Sequence, residues 1–241
     1  MKTIETAAHK AVSREAWLEA RRALLAKEKD LTRRRDELSR RRRELPWVRV
    51  DKNYLFDAPD GKKSLADLFG SKSQLMIYHF MFGPDWEEGC RSCSFLSDHI
   101  DGANRHLPHR GVRLLAASRA PLAKIERFKK RMGWRFEWVS SLGSDFNFDY
   151  GVSFAKEDVA KDRVNYNYAV STAHGSEELP GLSAFYKDPA GAVFHTYSTY
   201  ARGLDTLIGA YNFLDLAPMG RDEEGFSFTM EWVRHHDRYE A

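Results

Sequence analysis

Cysteine and long apolar runs are both scarce in this sequence. The 241 residues include only two cysteines, Cys90 and Cys93, too few for a small scaffold held by several disulfides. No second CxxC and no HxxxH pattern supplies the other ligands of a four-coordinate zinc site. The longest apolar stretch, residues 75–82, is broken by His79 and is far shorter than the about 20 residues that span a bilayer. Residues 1–12 lack the apolar segment of a secretory signal, so we expect a soluble cytoplasmic protein without a membrane partner.

The two cysteines form one motif, Cys90-Arg91-Ser92-Cys93, directly after the predicted strand 75–82. If a helix begins here, its first turn brings the two sulfurs together, and its unpaired N–H groups favour a thiolate. Structural disulfides are rare in the cytoplasm, where a CxxC is more often catalytic or redox-sensing. The motif therefore predicts thiol redox chemistry. Two inert core cysteines, or two ligands of a metal site completed elsewhere, are the alternatives.

The positive charge is concentrated at one end of the sequence. Residues 1–45 hold 14 Lys and Arg against 8 Asp and Glu, whereas the remainder holds 24 against 27. Ser13 can cap a helix N-terminus, and Pro46 disfavours helical geometry at the residue before it. Residues 1–45 are therefore predicted to form one basic helical segment. Its arginine runs, at 33–35 and 40–43, are interleaved with acidic residues and lack stacking aromatics, which argues against nucleic-acid binding.

An apolar stripe with a seven-residue repeat runs along this predicted helix. It consists of Trp17, Leu24, Leu31, Leu38 and Leu45. The complementary seam positions are charged, so the pattern is half of a coiled-coil seam. We expect the stripe to pack on the following domain or on a second subunit, and we favour a homodimer. Removal of residues 1–45 should then change the oligomeric mass measured by light scattering.

Strands and helices alternate along residues 46–218, and a content of 42% hydrophobic residues is sufficient for one sizeable core. The predicted order is strand 75–82, CxxC helix 90–106, strand 112–117, helix from Pro121, strand 136–139, hairpin 182–186 with 193–197, and helix 204–216. This order predicts an α/β, thioredoxin-like fold with a central mixed sheet, extended by the N-terminal helix. Residues 219–241 are interpreted as a tail. The aromatic-rich residues 145–168 have no clear period and are interpreted as a lid, a binding loop or a subunit contact.

Three segments resemble a known family. They are FMFGPDWEEGCRSCSFLSDHIDG at 80–102, ASRAP at 117–121 and FNFDYGV at 146–152. The chain resembles, over nearly its whole length, the DUF899 family, a thioredoxin-like group described as predicted dithiol–disulfide oxidoreductases. Together, the CxxC and the predicted fold lead us to expect a protein or small-molecule thiol or disulfide substrate, with no organic cofactor and no metal. In the thioredoxin-fold scheme, Cys90 attacks and Cys93 resolves the mixed disulfide.

Residues around the motif bear on this scheme. Pro180 precedes the predicted hairpin, where thioredoxin folds place a cis-proline beside the CxxC, although Pro180-Gly181 also suits an ordinary turn. Arg91 favours a thiolate at Cys90, whereas Glu87 and Glu88 should raise the pKa of that thiol if they point towards it.

Two other activities are compatible with the fold. Peroxiredoxins share it, but Glu88 occupies the position of their hydroxyl residue and Arg91 that of their reactive cysteine. Arg119 or Arg127 could polarise a peroxide, although surface arginines are commoner.

The other alternative is a copper-binding thioredoxin-like protein that uses Cys90, Cys93 and His174, a donor set that suits Cu(I). The remaining histidines receive structural interpretations: His79 and His195 lie in predicted strands, and the pair His235-His236 is expected to be a solvated part of the tail.

Overall fold

The computed structural model describes residues 11–240, which divide into two compact units, the first ending at Pro46 and the second beginning at Trp47. The first unit is helix α1 (Arg14–Glu44), whose N-terminus is capped by Ser13: its Oγ accepts the Ala16 N–H at 3.2 Å. The helix ends at the residue before Leu45, as predicted from Pro46. The residues of its apolar stripe are 45–52% exposed. The first ten residues of the predicted helical segment lie outside the described residues.

The second unit is built on an eight-stranded mixed sheet. In chain order its strands are β1 (Val48–Arg49), β2 (Leu55–Ala58), β3 (Gly61–Ser64), β4 (Gln74–His79), β5 (Val112–Ser118), β6 (Trp138–Ser140), β9 (Gly181–Lys187) and β10 (Val193–Tyr200). Two further strands, β7 (Val164–Tyr166) and β8 (Ala169–Ser171), pair only with each other. The spatial order is β1-β10-β9-β4-β5-β6-β2-β3.

The centre of this sheet has thioredoxin-like topology. Strand β4 pairs in parallel with β5, and β5 pairs in parallel with β6. On its other side β4 pairs antiparallel with β9, which forms a hairpin with β10. The CxxC therefore follows a central strand, β4, which pairs in parallel with β5 on one side and antiparallel with the β9–β10 hairpin on the other. This topology confirms the predicted fold class.

The helices of this unit are shorter than the sequence pattern predicted. They are α2 (Arg91–Ser97), α3 (Ile100–Ala103), α4 (Leu122–Arg131), α5 (Phe146–Asp149), α6 (Lys156–Ala160) and α7 (Gly209–Leu214), with 3-10 turns at Asp67–Phe69, Leu107–Arg110, Ala201–Leu207 and His236–Arg238. The prediction of one helix over 90–106 is wrong, because the chain breaks at Asp98 and His99. These two side chains bind other elements: Trp134 Nε1 donates to Asp98 at 2.8 Å, and the Ala210 N–H donates to His99 at 3.3 Å.

The sheet buries apolar side chains on both faces. Along β4 they alternate, with Leu75 and Ile77 in one cluster and Tyr78 in the other, as a two-residue period requires. Within residues 145–168, interpreted as a lid, a binding loop or a subunit contact, Phe146 and Phe154 are buried, whereas Phe148 and Tyr168 are exposed, and the interpretation stays a prediction. Among residues 11–240, no helix combines the length and apolar composition needed to cross a bilayer.

The C-terminal segment, residues 219–240, is not a solvated tail. Val233 is fully buried, and the Trp232 ring lies 5.4 Å from that of Phe95, in helix α2. His235, expected to be solvated, is 3% exposed. The segment thus packs against the helix that carries the cysteines.

Candidate thiol site

The two cysteines lie at the start of helix α2, directly beyond the end of β4. Cys90 is the N-cap residue, and its carbonyl accepts the Ser94 N–H and the Ser94 hydroxyl, both at 2.9 Å. The Cys90 N–H donates to the Met81 carbonyl at 3.0 Å. Both thiols are free, with Cys90 partly exposed and Cys93 buried. This is the dithiol form of the motif, held at a helix N-terminus as the sequence predicted.

The backbone before Cys90 is fixed by close packing. A Cβ on Gly89 would lie 2.6 Å from the Phe80 ring and 2.7 Å from the Phe128 ring, so only glycine fits here. His235 Nε2 lies 2.9 Å from the Gly89 carbonyl, which can only accept, so this nitrogen carries the proton. A residue far along the chain therefore positions the residue next to the thiol.

The two thiols have opposite electrostatic environments. The hydrogen bond from Cys93 lowers the pKa of Cys90 to about 7, aided by the N–H groups of Cys93 and Ser92 and the charge of Arg91, and opposed by burial. Burial raises the pKa of Cys93, as do the hydrogen bond with Cys90 and its charge. The Tyr78 hydroxyl and the Met81 N–H, 3.4 Å from Cys93 Sγ, act in the opposite direction. Near neutral pH the negative charge is therefore placed on Cys90.

The acidic residues before the motif are paired with cations. Glu88 accepts from Arg131 at 2.6 Å and from Arg238 at 2.9 Å, and Glu87 lies 3.2 Å from Lys124. Their charges are compensated by cations from other elements, and the net shift of the thiol is downwards. The charges of Glu87 and Glu88 therefore do not decide the direction of the shift.

A cavity of about 350 Å³ opens onto the thiols. Its walls come from the end of β4, helix α2, the residue before β9, the 3-10 turn that follows β10, and the C-terminal segment. It is lined by Tyr78, Met81, Cys90, Ser92, Cys93, Leu96, Pro180, Ala201, Arg202, Leu204, Asp205, Ile208, Thr229 and Met230.

Pro180 lines this cavity together with both cysteines. Its carbonyl accepts the Tyr166 hydroxyl at 2.6 Å, and that hydroxyl accepts the Ala201 N–H at 2.9 Å. All peptide bonds among residues 11–240 are trans, so the cis interpretation of the bond before Pro180 is wrong and the alternative of a trans loop proline holds. A role for Pro180 in substrate binding stays a prediction.

The C-terminal wall of the cavity was missed by sequence reasoning. It is held by Glu223, whose Oε1 accepts the Tyr211 hydroxyl at 2.6 Å, the Met230 N–H at 2.9 Å and Trp232 Nε1 at 2.8 Å. One signal was available in the sequence, since Phe226, Phe228 and Trp232 make this segment unusually aromatic for a solvated tail.

A buried ion pair lies just before Pro180. Glu178 is 2% exposed and accepts from Arg119 at 2.9 Å and from the Ser153 hydroxyl at 2.6 Å. Burial raises the pKa of Glu178 to about 7, against the hydrogen bonds from Ser153 and Arg119. The Arg119 guanidinium also lies over the Phe148 ring, at 4.5 Å. Arg119 is thus engaged in structure, and Arg127, the other arginine considered for peroxide, is exposed.

Three histidines outside the C-terminal segment, His79, His174 and His195, are hydrogen-bonded to neighbouring side chains. His174 is exposed and bonds with Thr172 at 2.8 Å. In residues 11–240, no three His, Cys, Asp or Glu side chains form a group able to hold a metal, so His174 does not complete a site with the cysteines. Buried His79 bonds Ser183 at 2.8 Å, Ser183 bonds Ser198 at 2.8 Å, and Ser198 bonds His195 at 2.7 Å, consistent with sheet histidines.

Solved structures with similar folds include redox proteins, at low similarity. Peroxidoxin BcpB from Mycobacterium tuberculosis has 11% identity and a TM-score of 0.43, with 68% of this chain and 94% of that chain covered. Peroxiredoxin Q from Xanthomonas campestris has 14% identity and a TM-score of 0.40, with 65% and 87% covered. A Chlorobium tepidum protein assigned as the thiol:disulfide interchange protein DsbE has 14% identity and a TM-score of 0.38, with 69% and 97% covered. At this level of similarity, the fold assignment rests on the sheet topology described above.

No curated protein sequence matches the chain significantly. One family model does, and it is described as a bacterial protein of unknown function, DUF899. The match extends over residues 6–239, and the chain therefore belongs to the DUF899 family.

Proposed function

We propose that this protein is a thiol–disulfide oxidoreductase that uses Cys90 and Cys93 as a dithiol–disulfide couple. The proposal depends on one observation, the opposite environments of two hydrogen-bonded thiols at the start of helix α2. The partly exposed thiol has a lowered pKa and the buried thiol a raised one, which is the division of labour that thiol–disulfide exchange requires.

The first step uses the Cys90 thiolate. It attacks one sulfur of a substrate disulfide in the cavity, forms a mixed disulfide and releases the other sulfur as a thiolate. A thiol with a pKa near the ambient pH suits this attack, because a substantial fraction of it is ionised and the thiolate is still nucleophilic.

The second step uses Cys93. Once Cys90 is in the mixed disulfide, its negative charge no longer opposes ionisation of Cys93, while the Met81 N–H and the Tyr78 hydroxyl still donate to that sulfur. The Cys93 thiolate attacks Cys90 Sγ and releases the second substrate thiolate, so two electrons pass from the protein dithiol to the substrate. A substrate dithiol reverses the sequence and restores the reduced protein.

A redox titration tests this function. We expect purified protein, equilibrated in glutathione or dithiothreitol buffers and then alkylated, to show a reversible loss of two free thiols by mass spectrometry. The Cys93→Ser variant should accumulate a mixed disulfide on Cys90, whereas Cys90→Ser should form none because the remaining thiol is buried. The proposal fails if the two thiols never pair, or if they are alkylated only after unfolding.

A further inference from the structure

The C-terminal segment closes one side of the cavity above the thiols. Thr229 and Met230 line that cavity and belong to the part of the chain that follows helix α7. Glu223 holds this stretch in place, since its Oε1 accepts the Met230 N–H at 2.9 Å and Trp232 Nε1 at 2.8 Å. Met230 also packs against the buried cluster that contains Cys93. The thiols therefore lie in a cavity that has a wall on this side, and not on an open surface.

The size of this cavity limits what can reach Cys90. Its volume of about 350 Å³ is near the lower end of the range of about 300–1,000 Å³ in which proteins bind small molecules. Cys90, the thiol that must meet the substrate, is only partly exposed. A short disulfide compound fits a space of this size, whereas a protein chain has to displace one of the walls.

Backbone groups in the walls of the cavity already have partners. The Ala201 N–H donates to the Tyr166 hydroxyl at 2.9 Å, and that hydroxyl donates to the Pro180 carbonyl at 2.6 Å. The Met81 N–H lies 3.4 Å from Cys93 Sγ, and a proline has no N–H to offer. An extended peptide is held chiefly by main-chain hydrogen bonds to such groups, with side-chain pockets adding specificity. The cavity therefore gives a peptide substrate little to bind.

We propose that the substrates of this site are low-molecular-weight disulfides and thiols, and that the C-terminal segment excludes protein disulfides. This inference rests on the proposed redox function and names the substrate class of the same site. The wall can be opened at Met230. Its φ of +66° lies in the left-handed region that favours glycine, so Met230→Gly removes the side chain and keeps the path of the backbone.

Two activated disulfides of different size are suitable probes. They are the 2-pyridyl mixed disulfides of 2-mercaptoethanol and of a cysteine at the centre of an unfolded glycine–serine peptide. With either probe, the Cys90 thiolate attacks the carrier sulfur and pyridine-2-thione leaves. Cys93 then displaces the carrier thiolate and closes the protein disulfide. The peptide rate constant is divided by that of the small probe, and this ratio is normalised to the ratio for free 2-mercaptoethanol, which removes differences in intrinsic reactivity.

For the wild-type protein we expect a normalised ratio below about 0.1, because the peptide backbone loses water without gaining partners, and one such loss costs about tenfold. Met230→Gly should raise the ratio about threefold or more, since removing the side chain widens the cavity on this side. The matched control is Asp222→Gly, at an exposed position of the same segment with a φ of +49°, and it should keep the wild-type ratio. Met230→Ala serves in place of Met230→Gly if that variant does not fold.

A normalised ratio near one in the wild-type protein would overturn the inference. So would a wild-type ratio in a folded variant that lacks the Met230 side chain. In both cases the redox titration still stands as separate evidence for the function. If instead the small probe fails to modify Cys90 in the native protein, the proposed function itself fails, and this inference fails with it.

Discussion

Cys90 and Cys93 differ in pKa although they are three positions apart in the chain. The difference arises from their places in helix α2. Cys90, at the N-cap, receives N–H donors from Ser92 and Cys93, whereas Cys93 is 1% exposed and lies against Tyr78. Each thiol also acts on the other, since the Cys93 hydrogen bond is the largest cause of the lowered pKa of Cys90.

Alkylation kinetics test this coupling at the residue scale. The rate of Cys90 modification by iodoacetamide should rise with pH around a midpoint of about 7, because only the thiolate reacts. Cys93→Ala removes the largest stabilising interaction and should move the midpoint upwards, towards the about 8.5 of an exposed thiol. Arg91→Ala should cause a smaller upward shift, since its charge is the weakest of these influences. A midpoint unaltered by Cys93→Ala would contradict this account.

At the scale of elements, the segment that leads into β9 is held in place by the buried ion pair Arg119–Glu178. Arg119 follows strand β5, and Glu178 lies two residues before Pro180, so the pair joins a loop after the central sheet to the proline beside the thiols. Ser153 adds a third element through its bond with Glu178. Breaking a buried ion pair costs far more than a surface pair, because a charge is left without compensation.

Arg119→Met should therefore lower the free energy of unfolding by about 3 kcal/mol, measured by urea denaturation at pH 8. Glu178, whose pKa is about 7 in the native protein, is mostly ionised at pH 8 and mostly protonated at pH 5.5. The destabilisation should thus shrink at the lower pH, where the unpaired group is neutral. Arg127→Met, at an exposed arginine, should change the free energy by less than about 0.5 kcal/mol. Equal destabilisation by Arg119→Met at both pH values would contradict the electrostatic cause.

At the scale of the whole molecule, the stripe of helix α1 leaves five large apolar side chains about half exposed. Exposed apolar patches with a regular repeat are characteristic of protein interfaces. We propose that the stripe packs against its equivalent in a second copy of the chain and that the protein is a homodimer.

Replacing Leu24, Leu31 and Leu38 together by Glu should halve the mass measured by light scattering, because three charges would be buried in the interface. Ala26→Glu places one charge on the opposite side of the helix and should leave the dimer intact. A monomeric wild-type protein would refute the proposed dimer.

Local signals explain which parts of the structure the sequence could predict. The cap at Ser13, the stop at Pro46, the buried strand before the cysteines and the helix start at the CxxC depend on neighbouring residues, and all four appear in the structure. The break at His99, the pairing of Glu88 with two arginines and the burial of His235 depend on distant partners, which no periodicity records. The geometry of Pro180 was likewise inferred from the fold alone, without a local signal for its trans bond.

The bond between His235 and Gly89 joins residues 146 positions apart in the chain. Contacts between such distant residues form slowly, because the loop between them must first be ordered. During folding, helix α2 can form before the C-terminal segment reaches it, so the thiols pass through a stage in which one wall of their cavity is missing. During refolding, the two thiols should therefore become protected from bulky thiol reagents late, when the rest of the sheet is already formed.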